Sequence, residues 1–256
     1  AAPPVAVKVR RRPEDNARTA REQAALGEIG PLLEGALGRG IPRPLGLVQE
    51  GAAAFGLETF VGGRPLAVSS ARWGARARRK VDDVRVAARW LGSVHLRTLA
   101  GRHPWTAADL DRWVEGPLLA YVRLFGCTPG EARLFSRARE EAHGLLGVPL
   151  PTVRQHNDFD PWNVSRDGRT VGVLDWECSR AGPALSDLLY FVIHWSYLVH
   201  GCREMPAQVR DFEGLFLADG HLDAFWAAAR NELRAYMGRL GVDQRFLPVL
   251  LVASLA

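Results

Sequence analysis

The stretch "NVSRDGRTVGVLDW", residues 163 to 176, constrains the fold of this chain more than any other. Two β-rich runs flank Arg-Asp-Gly-Arg, and Asp-Gly between apolar strands is a strong short-range signal for a β-hairpin. Closing the hairpin brings its outer ends, near Asn163 and near Asp175, to the same side of the turn. His156 and Asp158 lie just upstream, so a histidine, an asparagine and two aspartates gather at the open end. Asp and Asn are hard oxygen ligands, and a nucleotide-bound Mg²⁺ needs few of them because phosphate and water complete its shell. Asp158, five positions before Asn163, is left free to orient a hydroxyl and accept its proton.

The rest of the chain divides by pattern. Val5 to Val9 reads as a short strand, Pro13 to Glu28 as a helix, and "PLGLVQEG" and "AAFGLETFVGG" as two strands joined by a Glu-Gly turn. Beyond the double glycine at 62–63, apolar residues recur at helical spacing in the eighties and nineties, and again near 109–125, 130–146, 186–199 and 221–239. The fold class expected is α+β, with a small sheet and one helix in residues 1–63 and a mainly helical part in 64–256 that carries the hairpin.

Composition excludes several classes. The 256 residues are 47% hydrophobic and 24% charged, enough apolar material for a sizeable core. The net charge of +5 comes almost wholly from arginines scattered along helical stretches, without a basic stripe interleaved with aromatics, so no nucleic-acid partner is expected. No apolar run is long enough to span a membrane, and the start lacks the features of a signal peptide. Three cysteines, Cys127, Cys178 and Cys202, lie in no metal-like or disulfide-like spacing, which fits a reducing, cytoplasmic setting. Lysine occurs only at Lys8 and Lys80, which makes Lys8, set inside an apolar run, conspicuous.

H-x-D-x-x-x-x-N followed by an apolar strand ending in Asp-Trp-Glu resembles the aminoglycoside phosphotransferase and choline kinase group, small-molecule relatives of protein kinases with a two-lobed kinase-like fold. The resemblance covers Lys8 to about Phe191. It implies a catalytic loop of His156, Asn157, Asp158 and Asn163, in which Asp158 acts and His156 holds the loop. It also implies a metal-binding segment ending at Asp175, so that Asn163 and Asp175 bind Mg²⁺. "GPALSDLLYF" is similar to the family's G-x-P-x-x-D-L element, making Asp187 the buried acid that ties the catalytic loop to the helix behind it. At the front, Lys8 matches the strand lysine that contacts the α- and β-phosphates of ATP, and Glu22 the helix glutamate that pairs with it. "LETFVGGRPL" is similar to the hinge whose backbone, around Glu58, Phe60 and Val61, hydrogen-bonds the adenine. Glu177 has no assigned role, Asp160 reads as a turn residue before Pro161, and the remaining histidines, His95 and His200 among them, as packing or surface residues.

Two departures accompany the resemblance. The hairpin that covers the nucleotide phosphates in the family has no room before Val5, and the chain starts at Ala1, so the expectation is either that an N-terminal piece is missing or that ATP is held more weakly than usual. Asn157 stands where the group often has Gly, at a position outside the phosphoryl-transfer parts. Only twelve positions separate Asp175 from Asp187, too few for the peptide-binding segment of protein kinases. The expected activity is therefore ATP- and Mg²⁺-dependent transfer to a hydroxyl of a small molecule, an aminoglycoside, a sugar or another metabolite. The aromatics of "LYFVIHWSYLVH" suit either an acceptor pocket or a buried helix face. The competing classes are a non-catalytic nucleotide-binding or scaffolding module and, with less support, a metal-dependent hydrolase. Nothing in the sequence fixes an oligomeric state.

Overall fold

The Asp-Gly signal produces the expected hairpin. Strands Val164–Asp167 and Thr170–Val173 pair antiparallel, Asp167 opposite Thr170 and Val164 opposite Val173, and Gly168 takes the positive φ the turn requires. Pairing continues past the strand ends, where the Leu174 N–H donates to the Asn163 carbonyl at 3.0 Å. That bond sets Asn163 and Asp175 side by side at the hairpin mouth. In the computed structural model, which describes residues 4–33, 35–70, 77–218 and 223–255, a short third strand, Arg64–Pro65, joins the hairpin on its Val164–Asp167 side.

The amino-terminal sheet has the strand order Val5–Val9, Ala53–Thr59, Pro44–Glu50, antiparallel throughout. Lys8 lies opposite Gly56 and Ala6 opposite Glu58, so the period-2 alternation of side chains puts Lys8 and Glu58 on one face. Ala54, Gly56 and Glu58 on that face are buried. Helix Asn16–Ile29, entered through a turn that begins at Pro13, packs there and presents Thr19, Glu22, Ala25, Leu26 and Ile29 inward. Its close approach needs the glycine: a Cβ on Gly56 would lie 2.8 Å from Thr19 Cγ2.

Helix Ala77–Arg97 packs along Ala224–Leu240, and the apolar helix Ser186–His200 packs against both. The periodicity near 109–125 resolves into helix Ala107–Leu110, a wide turn at Asp111–Glu115 and helix Gly116–Phe125, followed by Pro129–His143. A third sheet, Gly101–Pro104, Pro149–Gln155 and Arg180–Pro183, was not legible in the sequence. Its strands, GRHP, PLPTVRQ and RAGP, are rich in proline, glycine and polar residues and short of β-branched ones, and they exist because long-range partners supply the ladder. Helices Met205–Phe216 and Phe246–Leu255 likewise lay outside the assigned periodic stretches. Among the described residues, no helix is long and apolar enough to cross a membrane.

The core is rich in rings. Trp90 stacks on Phe159 with centroids 6.2 Å apart, Phe159 meets Phe191 at 5.2 Å, and Phe191 stacks on Trp195 at 6.5 Å. Of the aromatics in 189–200, Phe191 and Trp195 are thus core residues.

The two parts of the chain are joined at Gly40. Its carbonyl accepts a 2.8 Å bond from the Val173 N–H, and a Cβ there would run into the Val171 carbonyl and sit 2.9 Å from Trp90 Nε1. Backbone atoms cannot step aside as a flexible side chain can. Gly40→Ala is therefore expected to destabilise the protein by about 1–3 kcal/mol, read as a lower denaturant midpoint with the slope unchanged.

Candidate active site

The hairpin mouth faces the helix of the amino-terminal part, and Lys8 bridges them. Its Nζ lies 2.6 Å from Glu22 Oε1, 2.7 Å from Asp175 Oδ1 and 3.4 Å from Glu58 Oε1. Burial works against the ammonium charge, but Glu22 and Asp175 outweigh it and raise the Lys8 pKa, so the lysine is charged. Glu22, almost fully buried, also accepts the Trp176 N–H at 3.2 Å. One helix glutamate thereby holds both the lysine and the backbone just beyond Asp175.

Glu58 enters this cluster through its side chain, which the sequence reading did not anticipate. It is buried, its Oε2 has no hydrogen-bond partner, and burial pushes its carboxyl up against the pull of Lys8. The signal was present in "AAFGLET": two small residues alternate with the acid, so all three share the face that the helix approaches. Of the hinge backbone, the Phe60 N–H donates to Pro4 O at 3.0 Å, and Phe60 itself is 59% exposed. Val61, half-buried, would have its Cγ1 against any Cβ placed on Gly172, so the hinge lies across the hairpin.

Two arginines missed from the sequence close the same side. Arg10 pairs with Glu177 and stands 3.7 Å from Glu22, and Arg18 reaches Glu177 at 3.4 Å. Glu177, unassigned from sequence, is the acid by which the segment after the hairpin grips Arg10, just past the first strand, and Arg18 of the first helix.

The loop from His156 to Asn163 is shaped by its backbone bonds. Both ring nitrogens of His156 are engaged: Nε2 donates to the Leu174 carbonyl at 2.8 Å, and Nδ1 accepts the Asp158 N–H at 3.3 Å. A carbonyl can only accept and an N–H can only donate, so the ring is the neutral Nε2–H tautomer, in keeping with burial lowering its pKa. Asn163 Nδ2 donates to the Asp158 carbonyl at 2.9 Å and to Asp158 Oδ2 at 2.8 Å. With both amide protons engaged, Asn163 Oδ1 is left as an acceptor. Partial burial raises the Asp158 pKa against the opposing pull of His156 and Asn163.

Asp187 ties this loop down. Its Oδ2 accepts the His156 N–H at 2.6 Å and its Oδ1 the Asn157 N–H at 2.8 Å, while His95 Nε2 approaches Oδ2 at 3.4 Å. Burial alone would raise this carboxyl, yet His95, His156 and the donated N–H bonds keep its pKa low. His95 thus bonds rather than merely packs, and its Nδ1 lies 2.5 Å from the Tyr236 hydroxyl. That hydroxyl in turn accepts the Leu185 N–H at 3.3 Å.

Among the described residues, Asn157, Asp175 and Leu185 are the non-glycine residues with positive φ, at 61°, 61° and 109°. All three flank the groups just described. Such conformations cost on the order of 1–3 kcal/mol each and persist where the surroundings over-determine them. Here the surroundings are the Asp187, Glu22 and Tyr236 bonds.

For a divalent cation, the ligand atoms at the mouth are Asn163 Oδ1 and the Asp175 carboxylate, whose Oδ1 is shared with Lys8 and whose side chain is 44% exposed. Among the described residues, no group of three or more His, Cys, Asp or Glu is placed to hold a metal ion. Two hard oxygens fit Mg²⁺ that carries phosphate and water as its other ligands, and do not make a closed protein cage.

Removing Asp187 would leave two buried N–H groups and His95 without their carboxylate. Asp187→Ala is expected to cost about 3–5 kcal/mol, measured by denaturant unfolding, and to exceed the cost of Asp160→Ala at a surface turn.

The sequence model of a phosphotransferase enzyme family matches residues 3–234. Among curated proteins, none matches the chain at a significant level. Among solved structures, a choline/ethanolamine kinase family protein from Mesorhizobium loti is 13% identical with a TM-score of 0.50, over 98% of this chain and 87% of its own. A type VIII aminoglycoside-3'-phosphotransferase is 18% identical with a TM-score of 0.47, over 91% and 84%. An aminoglycoside phosphotransferase from Streptomyces rimosus, solved with ADP and streptomycin, is 14% identical with a TM-score of 0.47, over 96% and 86%. With nine-tenths of its length matched by one family, this chain belongs to the phosphotransferase enzyme family.

Proposed function

We propose that the protein transfers the γ-phosphoryl group of ATP to a hydroxyl of a small molecule in a Mg²⁺-dependent reaction. Residues 1–63 act as the nucleotide lobe and 64–256 as the catalytic and acceptor lobe. The observation that carries this reading is the meeting of Lys8 with Glu22 and Asp175 beside the Asp158–Asn163 pair. These are the parts that position phosphates and a hydroxyl, drawn from strands, helix and loop that have no other reason to converge.

Asn163 and Asp175 are the residues that would hold Mg²⁺, which when bound neutralises phosphate charge. Lys8, kept charged and aimed by Glu22, supports the phosphates, and the backbone around Glu58, Phe60 and Val61 supports the adenine. His156, neutral and bonded on both sides to backbone, holds the loop and does not carry the transferred proton. Asp158 aligns the acceptor hydroxyl. As the new oxygen–phosphorus bond forms and the bond to the ADP oxygen breaks, the hydroxyl proton passes to the Asp158 carboxylate. The protein contributes position and charge rather than covalent chemistry.

Asp158→Asn keeps the Asn163 bonds within reach but removes the base. Mg·ATP binding measured by calorimetry should stay nearly unchanged while phosphoryl transfer falls by several powers of ten; parallel loss of both would overturn the base role. Asp175→Ala should abolish the Mg²⁺ dependence of nucleotide binding, and retention of that dependence would mean that the hairpin mouth is not the metal site.

A further inference from the structure

A cavity of about 260 Å³ is lined by Asn157, Asp187, Tyr190, Trp113, Arg180 and Ser254, among others. Asn157 is the residue next to Asp158, so the cavity adjoins the loop that carries the proposed proton acceptor, and its wall extends to Arg180.

The charge of the lining decides what enters. Asp187 is its only carboxylate, and both oxygens of that group already accept loop N–H bonds. Arg180, exposed at the start of strand Arg180–Pro183, forms no ion pair among the described residues. Its guanidinium lies 5.7 Å from the Trp113 ring centroid. Arg112 packs on the same ring at 4.6 Å, also without an ion pair among the described residues, and adds positive charge. Away from the catalytic loop, a cationic group would meet Arg180 and no lining carboxylate with a free oxygen. An anionic group would find a planar five-donor guanidinium beside an indole. The volume lies just below the range of roughly 300–1,000 Å³ typical of drug-sized ligands, which suits a single-ring or short-chain compound.

Resting on the phosphotransfer reading, we infer that the acceptor is a small hydroxyl compound bearing an anionic group, carboxylate or phosphate. Arg180 binds that group, and Trp113 supports the adjoining carbon frame.

The test uses the full chain, without nucleotide and with Mg·ADP, and three probes on one six-carbon frame: glucuronate, glucose and glucosamine. Calorimetry should rank glucuronate first and glucosamine last. Arg180→Ala should weaken glucuronate binding by about 10- to 100-fold, the range for hydrogen bonds to charged groups, with glucose changed less than about twofold. Arg180→Lys should retain part of the preference, and Arg180→Glu should invert it toward glucosamine. Glucosamine binding as tightly as glucuronate, a preference that survives Arg180→Ala, or no binding of glucuronate in either state each overturns the inference. A separate titration of Mg·ATP tests the phosphotransfer reading, which stands if ATP binds whatever the sugars do and falls if ATP does not bind.

Discussion

One half-buried ammonium organises this protein. Lys8 reaches acids from the first helix, the sheet's central strand and the segment after the hairpin, so those three elements are fixed relative to one another by a single side chain. Three carboxylates around one cation is a surplus of negative charge in a partly dry site, and it stands because each acid has a further relief. Glu22 has Arg10 at 3.7 Å and the Trp176 N–H, Asp175 is partly solvated, and Glu58 has its carboxyl pushed toward the neutral form.

Asp187 performs the corresponding task on the opposite side. It collects two consecutive loop N–H groups and a histidine, and the chain from Tyr236 through His95 to Asp187 fastens the catalytic loop to the helical core. The strained residues Asn157, Asp175 and Leu185 each lie next to one of these anchors. Rigidity at the site comes from buried, charge-assisted bonds to backbone, and the aromatic column of Trp90, Phe159, Phe191 and Trp195 gives them a close-packed foundation.

Much of this was legible along the chain because the signals are local. The hairpin follows from Asp-Gly between β-rich runs, the first helix from its proline start and apolar spacing, and the importance of Lys8 from the rarity of lysine. What could not be read is whatever depends on a partner far away in sequence. The Gly101–Pro104, Pro149–Gln155, Arg180–Pro183 sheet is made of segments that have no strand signature alone. Glu177 looked idle because Arg10 and Arg18 are more than 150 positions distant. His95 looked like packing because its partners are Asp187 and Tyr236.

The amino-acid sequence by itself determined the hairpin and the order of the polar groups at its mouth, since turn chemistry and strand alternation act over a few residues. Only the tertiary structure decided which acids share Lys8, which tautomer His156 adopts and which carboxylates are left without a cation. Those properties are sums over neighbours brought together by packing, and a charge has no environment until its neighbours arrive.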